Sequence, residues 1–495
     1  MKTLIKSLSI GSLFLLLAFG LSAPASAATS PCVADPTWLT SPSFPQEVEK
    51  SGLDGTSNFC DFYQFSWQAY LYLMTPSPSD SNPNRRNFQV LANYPLLEFD
   101  EATGYPVNSC DETVTGATIK TALDKTSTTT GQAGDGATIF AQDGNVIYYD
   151  VRFDKETCYT TGSAVVMEEL GVSNFPPGTT ELKFAWKVLS ESEISSGTFV
   201  TQLQEIESQN VTLGLVGMHI VIATEDHPEF IWATFERNVN SPNCDGETTS
   251  TGWMFANESC TAGLPGTADS SNSCKFNKAT PQPGVTFTKT PTNICRVYPD
   301  GTVGSDPNDV ENRTDINALN AEVGNLLAGS NVPAMKLLTN YFNVGDLWVS
   351  DITKDSYDAD TKPGSSKIPN QRGSLQLANT VAETTYQDID ITDENKLTNC
   401  FGCHNYLGTA DIVNNNVTSL RLSHIFADIL AGQGKSIDVD AGPIWSNEEA
   451  SDICSYISDT KKGVCQTAEP FLQWNGNWTT TVPGIMSVCG CELAD

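Results

Sequence analysis

The stretch Leu213-Gly-Leu-Val-Gly-Met-His-Ile-Val221 is apolar on both faces, the pattern of a strand in the middle of a sheet whose two sides are covered. Strict alternation groups His219 with Leu213, Leu215 and Val221, which predicts a buried imidazole. The runs 145–154, 181–189, 213–224 and 230–238 are rich in branched and aromatic residues and read as strands. Polar, glycine-containing loops such as 126–136 and 244–281 separate them. One helix interrupts the β-rich pattern. Phe59, Phe62, Tyr63, Trp67, Tyr70, Leu71 and Met74 recur every three or four residues and form one stripe, read as core rather than as a cofactor surface.

The chain has 495 residues, with 27 Lys and Arg against 59 Asp and Glu. Residues 1–27 combine Lys2 and Lys6, an apolar run from Ile10 to Leu21 and the small-residue end Ala25-Ser26-Ala27, so they read as a secretory signal peptide. No later segment reaches the roughly 18 uninterrupted apolar residues of a transmembrane helix. A net charge of −32 repels phosphate backbones and anionic lipid heads, which excludes nucleic acid as a partner. Fourteen cysteines in an exported chain imply an oxidising periplasmic or extracellular setting, with disulfides standing in for packing in the loops. Cys60, Cys110, Cys158, Cys244, Cys260, Cys274 and Cys295 lie in or beside those loops, and Cys32 makes the set even.

Past residue 310 the pattern becomes helical. Ile316, Leu319, Val323 and Leu327 follow a cap expected at Asp315, and 375–387 is a second candidate helix. The chain therefore reads as an α+β multidomain protein: a β-rich, disulfide-containing domain at 28–310, a helical region at 311–434 and a small α+β module at 435–495.

The strongest chemical signal is Cys400-Phe-Gly-Cys-His404, the pattern for covalent attachment of one c-type haem. Thiols at Cys400 and Cys403 reach the two vinyl groups of one porphyrin edge, and His404 falls under the iron as proximal ligand. A zinc half-site needs two more ligands nearby, and a redox dithiol has no use for the histidine. For the distal position, His424 lies in an expected helix on the side away from its apolar stripe, where it either caps the haem or is a surface histidine. His219 is a weaker distal candidate, against the reading of a neutral imidazole hydrogen-bonded inside a core. The blocks Gly214–Ile220, Glu229–Glu236, Leu377–Gln387 and the Cys400 motif, in that order, resemble exported bacterial monohaem proteins of the cytochrome c family. The resemblance implies one haem on a large scaffold and brings no substrate.

In the last sixty residues, Ser446 is placed to cap a helix with Glu449 bonding back, and 474–482 and 485–493 read as a turn into a strand and a second strand. Cys489, Cys491 and Leu493 share one strand face and can look inward at Cys454 and Cys465, so two disulfides would staple a module too small to bury much core. Ala441-Gly-Pro-Ile-Trp-Ser-Asn447 and Trp474-Asn-Gly-Asn-Trp-Thr-Thr480, followed by Met486-Ser-Val488, resemble the mannan-binding lectin family of the Microcystis viridis lectin type. That resemblance implies an oligomannose site lined by Trp445, Ser446, Asn447, Gly476, Asn477, Trp478 and Thr479. An indole can cover the apolar face of a pyranose while amides and hydroxyls meet the sugar hydroxyls. Asn477 stands where the family has glutamine, and the four cysteines are additions to its pattern.

The sequence thus reads as a secreted electron carrier, more an electron carrier than an enzyme, tethered to mannose-type glycan by its tail and served by an unidentified redox partner. A haem enzyme of peroxidase or oxygenase type with an open iron position, and a lectin or adhesin with a structural haem, are the alternatives.

Overall fold

The computed structural model describes residues 32–52, 55–78, 85–90, 93–94, 120–121, 139–154, 175–206, 209–246, 252–262, 264, 274, 276–277, 290–302, 304, 309–349, 371–384, 387, 399–404, 437–455, 463–465, 472–482 and 486–493. An eight-stranded antiparallel sheet dominates it, built from β1 (Lys120–Thr121), β2 (Ile147–Phe153), β3 (Thr180–Val188), β4 (Thr201–Ile206), β5 (Gln209–Ile222), β6 (Ile231–Arg237), β7 (Tyr341–Val349) and β8 (Gln371–Gly373). The order is β1-β2-β3-β5-β6-β7-β8, with β4 paired to the first half of β5. All four expected strands form, and β5 sits in the middle of the sheet, as its two apolar faces require.

β5 does not keep strict alternation. Ala185 and Trp186 are adjacent on β3, yet they face Gly217 and Leu215, so Val216 is an extra residue, a β-bulge. Leu213 and Leu215 before it, and Met218, Ile220 and Ile222 after it, all pack into one core on the same face. His219 therefore lies on the face opposite Leu213 and Leu215, which corrects the expected grouping, and it is half-buried. The bulge reverses the phase of every side chain after it.

One face of the sheet is closed by two helices, α1 (Phe59–Met74) and α2 (Asp309–Ala328). Asn58 caps α1 by accepting from Asp61 N at 3.1 Å, and Asp61 accepts back from Asn58 N at 2.8 Å. The aromatic stripe of α1 is core: Tyr70 stacks on Phe235 with centroids 4.1 Å apart, and Phe62 stacks on Trp348 at 4.0 Å. On α2, Ile316, Leu319, Val323 and Leu327 are buried against the same core, and Trp67 Nε1 donates to Asn320 Oδ1 at 3.1 Å. The helix begins at Asp309, one and a half turns before the expected cap at Asp315.

Among its described residues, the region 311–434 is not a separate helical domain. After α2 the chain returns to the sheet as β7 beside β6 and β8 beside β7, so the boundary at 310 falls inside one sheet-and-helix unit. The described residues of the expected second helix, 375–384 and 387, do not form it either; 374–384 run as turns across the open face of the sheet, and we call them the strap. Gly217 and Gly345 let it approach: a Cβ on Gly217 would lie 2.8 Å from Asn379 Oδ1, and one on Gly345 would collide with Ser374.

The tail is a three-stranded antiparallel sheet in the order β10-β11-β9, with β9 at Ile437–Gly442, β10 at Leu472–Val482 and β11 at Met486–Leu493, plus a short helix at Asn447–Cys454. Disulfides Cys454–Cys489 and Cys465–Cys491 staple it, as the strand face predicts. Cys32–Cys60, Cys244–Cys295 and Cys260–Cys274 are the others among the described residues, while Cys110 and Cys158 lie outside them. Among the described residues no helix is long and apolar enough to cross a membrane.

Candidate functional site

Two places gather chemically able side chains: the open face of the large sheet, and the exposed end of the tail.

On the open face, a polar row crosses three strands. Lys183 of β3 stands opposite His219 of β5, which stands opposite Thr234 of β6. His219 Nε2 is 2.9 Å from Glu383 Oε1 on the strap, and its Nδ1 is 2.7 Å from Thr234 Oγ1. A carboxylate only accepts, so Nε2 donates to Glu383, and Nδ1 is hydrogen-bonded to the Thr234 hydroxyl. Both nitrogens of the half-buried His219 are therefore engaged inside the protein. Beside it, buried Glu236 accepts from Thr380 N, Thr380 Oγ1 and Arg296 Nη2, each at 2.6 Å. This network clamps the strap to the sheet.

The Cys400–His404 segment forms one short helix, α3, so Cys400 and Cys403 lie one helical turn apart. Phe401 is fully buried, Cys400 is half-buried and His404 is 8% exposed. The His404 ring packs on Trp232 with centroids 4.7 Å apart, and its Nε2 stands 3.3 Å from Lys183 Nζ. Lys183 also pairs with Glu181 at 3.0 Å. Trp232 Nε1, on a residue only 4% exposed, is a buried donor with no acceptor among the described residues. α3 thus lies on the open face in the same neighbourhood as His219, and the blocks 214–220, 229–236, 377–387 and 400–404 meet there although sequence separates them. His424 lies outside the described residues.

Among the described residues no three His, Cys, Asp or Glu side chains converge to hold a metal ion by themselves. Along α3, Cys400 and Cys403 lie one turn apart, next to the buried His404 ring, Trp232 and its orphaned indole donor.

At the tail, Ser446 caps the short helix by accepting from Glu449 N at 3.2 Å, and Glu449 accepts in return from Trp445 N at 2.8 Å, one residue earlier than a standard capping box. This return bond fixes the loop that carries Trp445, whose side chain is 70% exposed. Trp478 Nε1 donates to Asn447 Oδ1 at 2.9 Å, joining the two halves of the expected sugar surface. Pairing between β10 and β11 is irregular from Trp474 to Trp478, and Gly476 there adopts φ +88°, a left-handed conformation that needs glycine. Trp474 Nε1 donates to Asn477 O at 2.6 Å, and Asn477 N donates to Asn475 Oδ1 at 3.0 Å. Ser446, Gly476, Asn477 and Thr479 are exposed beside this bulge, and Trp478 is half-buried.

Residues 463–491 match the family model of mannan-binding protein. The C-terminal part of the chain is accordingly lectin-like, and the matched segment holds Cys489 and Cys491, the two disulfide cysteines of β11, and the indole-rich bulge. Comparison with curated proteins and with solved structures finds no match.

Residue-by-residue reading missed three participants. Trp474 and Asn475 support the bulge from beneath, and their place beside Gly476 in the quoted motif was the available signal. Lys183 was also missed. Its signal is the alternation Glu181, Lys183 against Leu182, Phe184, Trp186, which marks a charged face on a strand otherwise built for a core.

Proposed function

We propose that the chain is an exported glycan-binding protein whose lectin-like tail takes mannose-type oligosaccharide at Trp445, Ser446, Asn447, Gly476, Asn477, Trp478 and Thr479. The observation that carries this reading is the lectin-like match over 463–491, a disulfide-fixed segment that presents exposed Asn477 and Thr479 beside the half-buried Trp478, with the exposed Trp445 on the loop before it. A flat indole covers the apolar face of a sugar ring, and the surrounding side chains supply donors and acceptors for its hydroxyls. Titration of yeast mannan or an oligomannose into the full chain tests it: binding that disappears in Trp478→Ala supports the site, and a wild-type protein with no affinity for mannose-type glycan rejects it.

The second part of the reading concerns the open face. Cys400, Cys403 and His404 would hold one covalent haem c, with each thiol adding across a vinyl group to form a thioether. A bound haem would supply one-electron chemistry there. The chain's own residues position it: Phe401 anchors α3 in the core, Trp232 orients the His404 ring, and the Glu236–Arg296–Thr380 clamp holds the strap that borders the site. The role that follows is single-electron transfer with an unidentified redox partner, concentrated near glycan by the tail. A pyridine haemochrome assay and the intact mass of the exported protein test attachment. Colourless protein, or pigment extracted by acidified acetone, rejects it.

A further inference from the structure

We infer that Asn475 is a self-modification site: the backbone nitrogen of Gly476 attacks its side-chain amide, which loses ammonia and becomes aspartate or isoaspartate. Asn475-Gly476 is the only Asn-Gly pair in the chain. A residue with a side chain shields its own nitrogen from this attack, and glycine has none. The pair sits where β10 and β11 lose register, between Trp474 and Trp478, so neither residue has a partner in the ladder. Gly476 is exposed, with φ +88°. The Asn475 side chain folds forward over it, because its Oδ1 accepts from Asn477 N at 3.0 Å. That oxygen gains negative charge as a nucleophile adds to Cγ, and the Asn477 N–H is already placed on it. Gly490 leaves room for the amide: a Cβ there would stand 2.6 Å from Asn475 Oδ1.

Hydroxide takes the Gly476 amide proton, the nitrogen bonds to Cγ, and the Cγ–Nδ2 bond breaks. The leaving amide takes a proton from water and departs as ammonia. Water then opens the cyclic imide. Opening at the side-chain carbonyl gives aspartate; opening at the main-chain carbonyl gives isoaspartate, whose backbone runs through the former side chain. Either product puts a carboxylate in the bulge. Isoaspartate also re-spaces Trp474 and Asn477, which Trp474 Nε1 joins at 2.6 Å through Asn477 O. Affinity for mannose-type glycan is therefore lost as the protein ages. This consequence rests on the lectin reading above, whereas the modification does not.

The experiment incubates folded, full-length exported protein at mildly alkaline and mildly acidic pH, followed by peptide mapping by mass spectrometry and isoaspartyl methyltransferase labelling. The expected result is replacement of NH by O at Asn475, faster at alkaline pH. It should run ahead of the exposed Asn210, Asn257 and Asn325, which precede Val211, Glu258 and Leu326. Oligomannose affinity of the same samples is expected to fall in step with the fraction converted. Asn475→Ser cannot form the imide, so its affinity is expected not to drift from its own starting value. An intact Asn475, or one that converts no faster than the three other asparagines, overturns the site. Conversion without loss of affinity overturns its consequence. Fresh wild type without affinity for oligomannose rejects the lectin reading, and the mass at Asn475 then decides the modification by itself.

Discussion

The two faces of the large sheet are made from the same strands and do opposite work. Phe235 and Glu236 are neighbours on β6, both buried, yet Phe235 meets the rings of Trp67 and Tyr70 under α1 while Glu236 gathers Arg296 and Thr380 under the strap. The closed face is held by apolar area and ring packing. The open face has apolar clusters of its own, around Trp232 and Phe401 and around Val216 and Val381, but adds directional bonds at Lys183, His219 and Glu236, and α3 lies on it.

The largest effect that separates the faces is at this neighbouring pair. Glu236→Gln barely changes volume but leaves Arg296 without its buried counter-charge, so it is expected to cost about 3–5 kcal/mol in urea unfolding. Phe235→Leu is expected to cost only about 1.5 kcal/mol or less, because an apolar face tolerates near-isosteric change. Equal losses at the two positions would break the comparison.

Next is Asp346, buried on β7 toward the closed face, whose carboxyl burial pushes up to about 7. Its folded value exceeds its unfolded one of 3.8, so its contribution is fully present below about pH 4 and is lost as pH rises through about 7. At about 1.4 kcal/mol per unit the loss is up to about 4 kcal/mol. Asp346→Asn is expected to flatten this part of the stability–pH curve, read by denaturation at pH 4, 5.5 and 7.

His219→Gln comes third. It removes hydrogen bonds to Thr234 and Glu383 and is expected to cost about 1–2 kcal/mol, with faster amide exchange in the strap and none in α1. The smallest effect on folding is Trp445→Ala: unchanged unfolding, and a roughly tenfold weaker affinity for oligomannose by calorimetry, or about 1.4 kcal/mol. Tighter binding, or loss of folded protein, would show that the indole is core rather than contact surface.

Much of the framework was legible in sequence because it obeys short periods. The four strands, α1, the apolar stripe of α2 and the Cys454, Cys465, Cys489, Cys491 staple all follow from spacing. What failed was non-local. Nothing in 311–340 announces that β7 will rejoin β6, since pairing partners over a hundred residues apart leave no local trace. Leu375–Gln387 has helix-like apolar spacing, but its polar residues Asn379, Thr380 and Glu383 are bonded to strands, and those tertiary bonds override propensity. In the tail, the quoted residues Asn447 and Trp478 do meet, whereas Trp474 and Asn475 emerge as supports only once the bulge is seen.

Val216 has a wider consequence. Because it is a single surplus residue between two well-packed halves of β5, it acts as a gear change: the hairpin with β4 and the half that carries His219 can each be tuned without disturbing the other's orientation. Excising it would turn the imidazole toward Trp67 and Phe235 and bring Met218 out beneath Glu383. One backbone unit, contributing no reactive atom, therefore decides which layer of the protein is able to host chemistry at all.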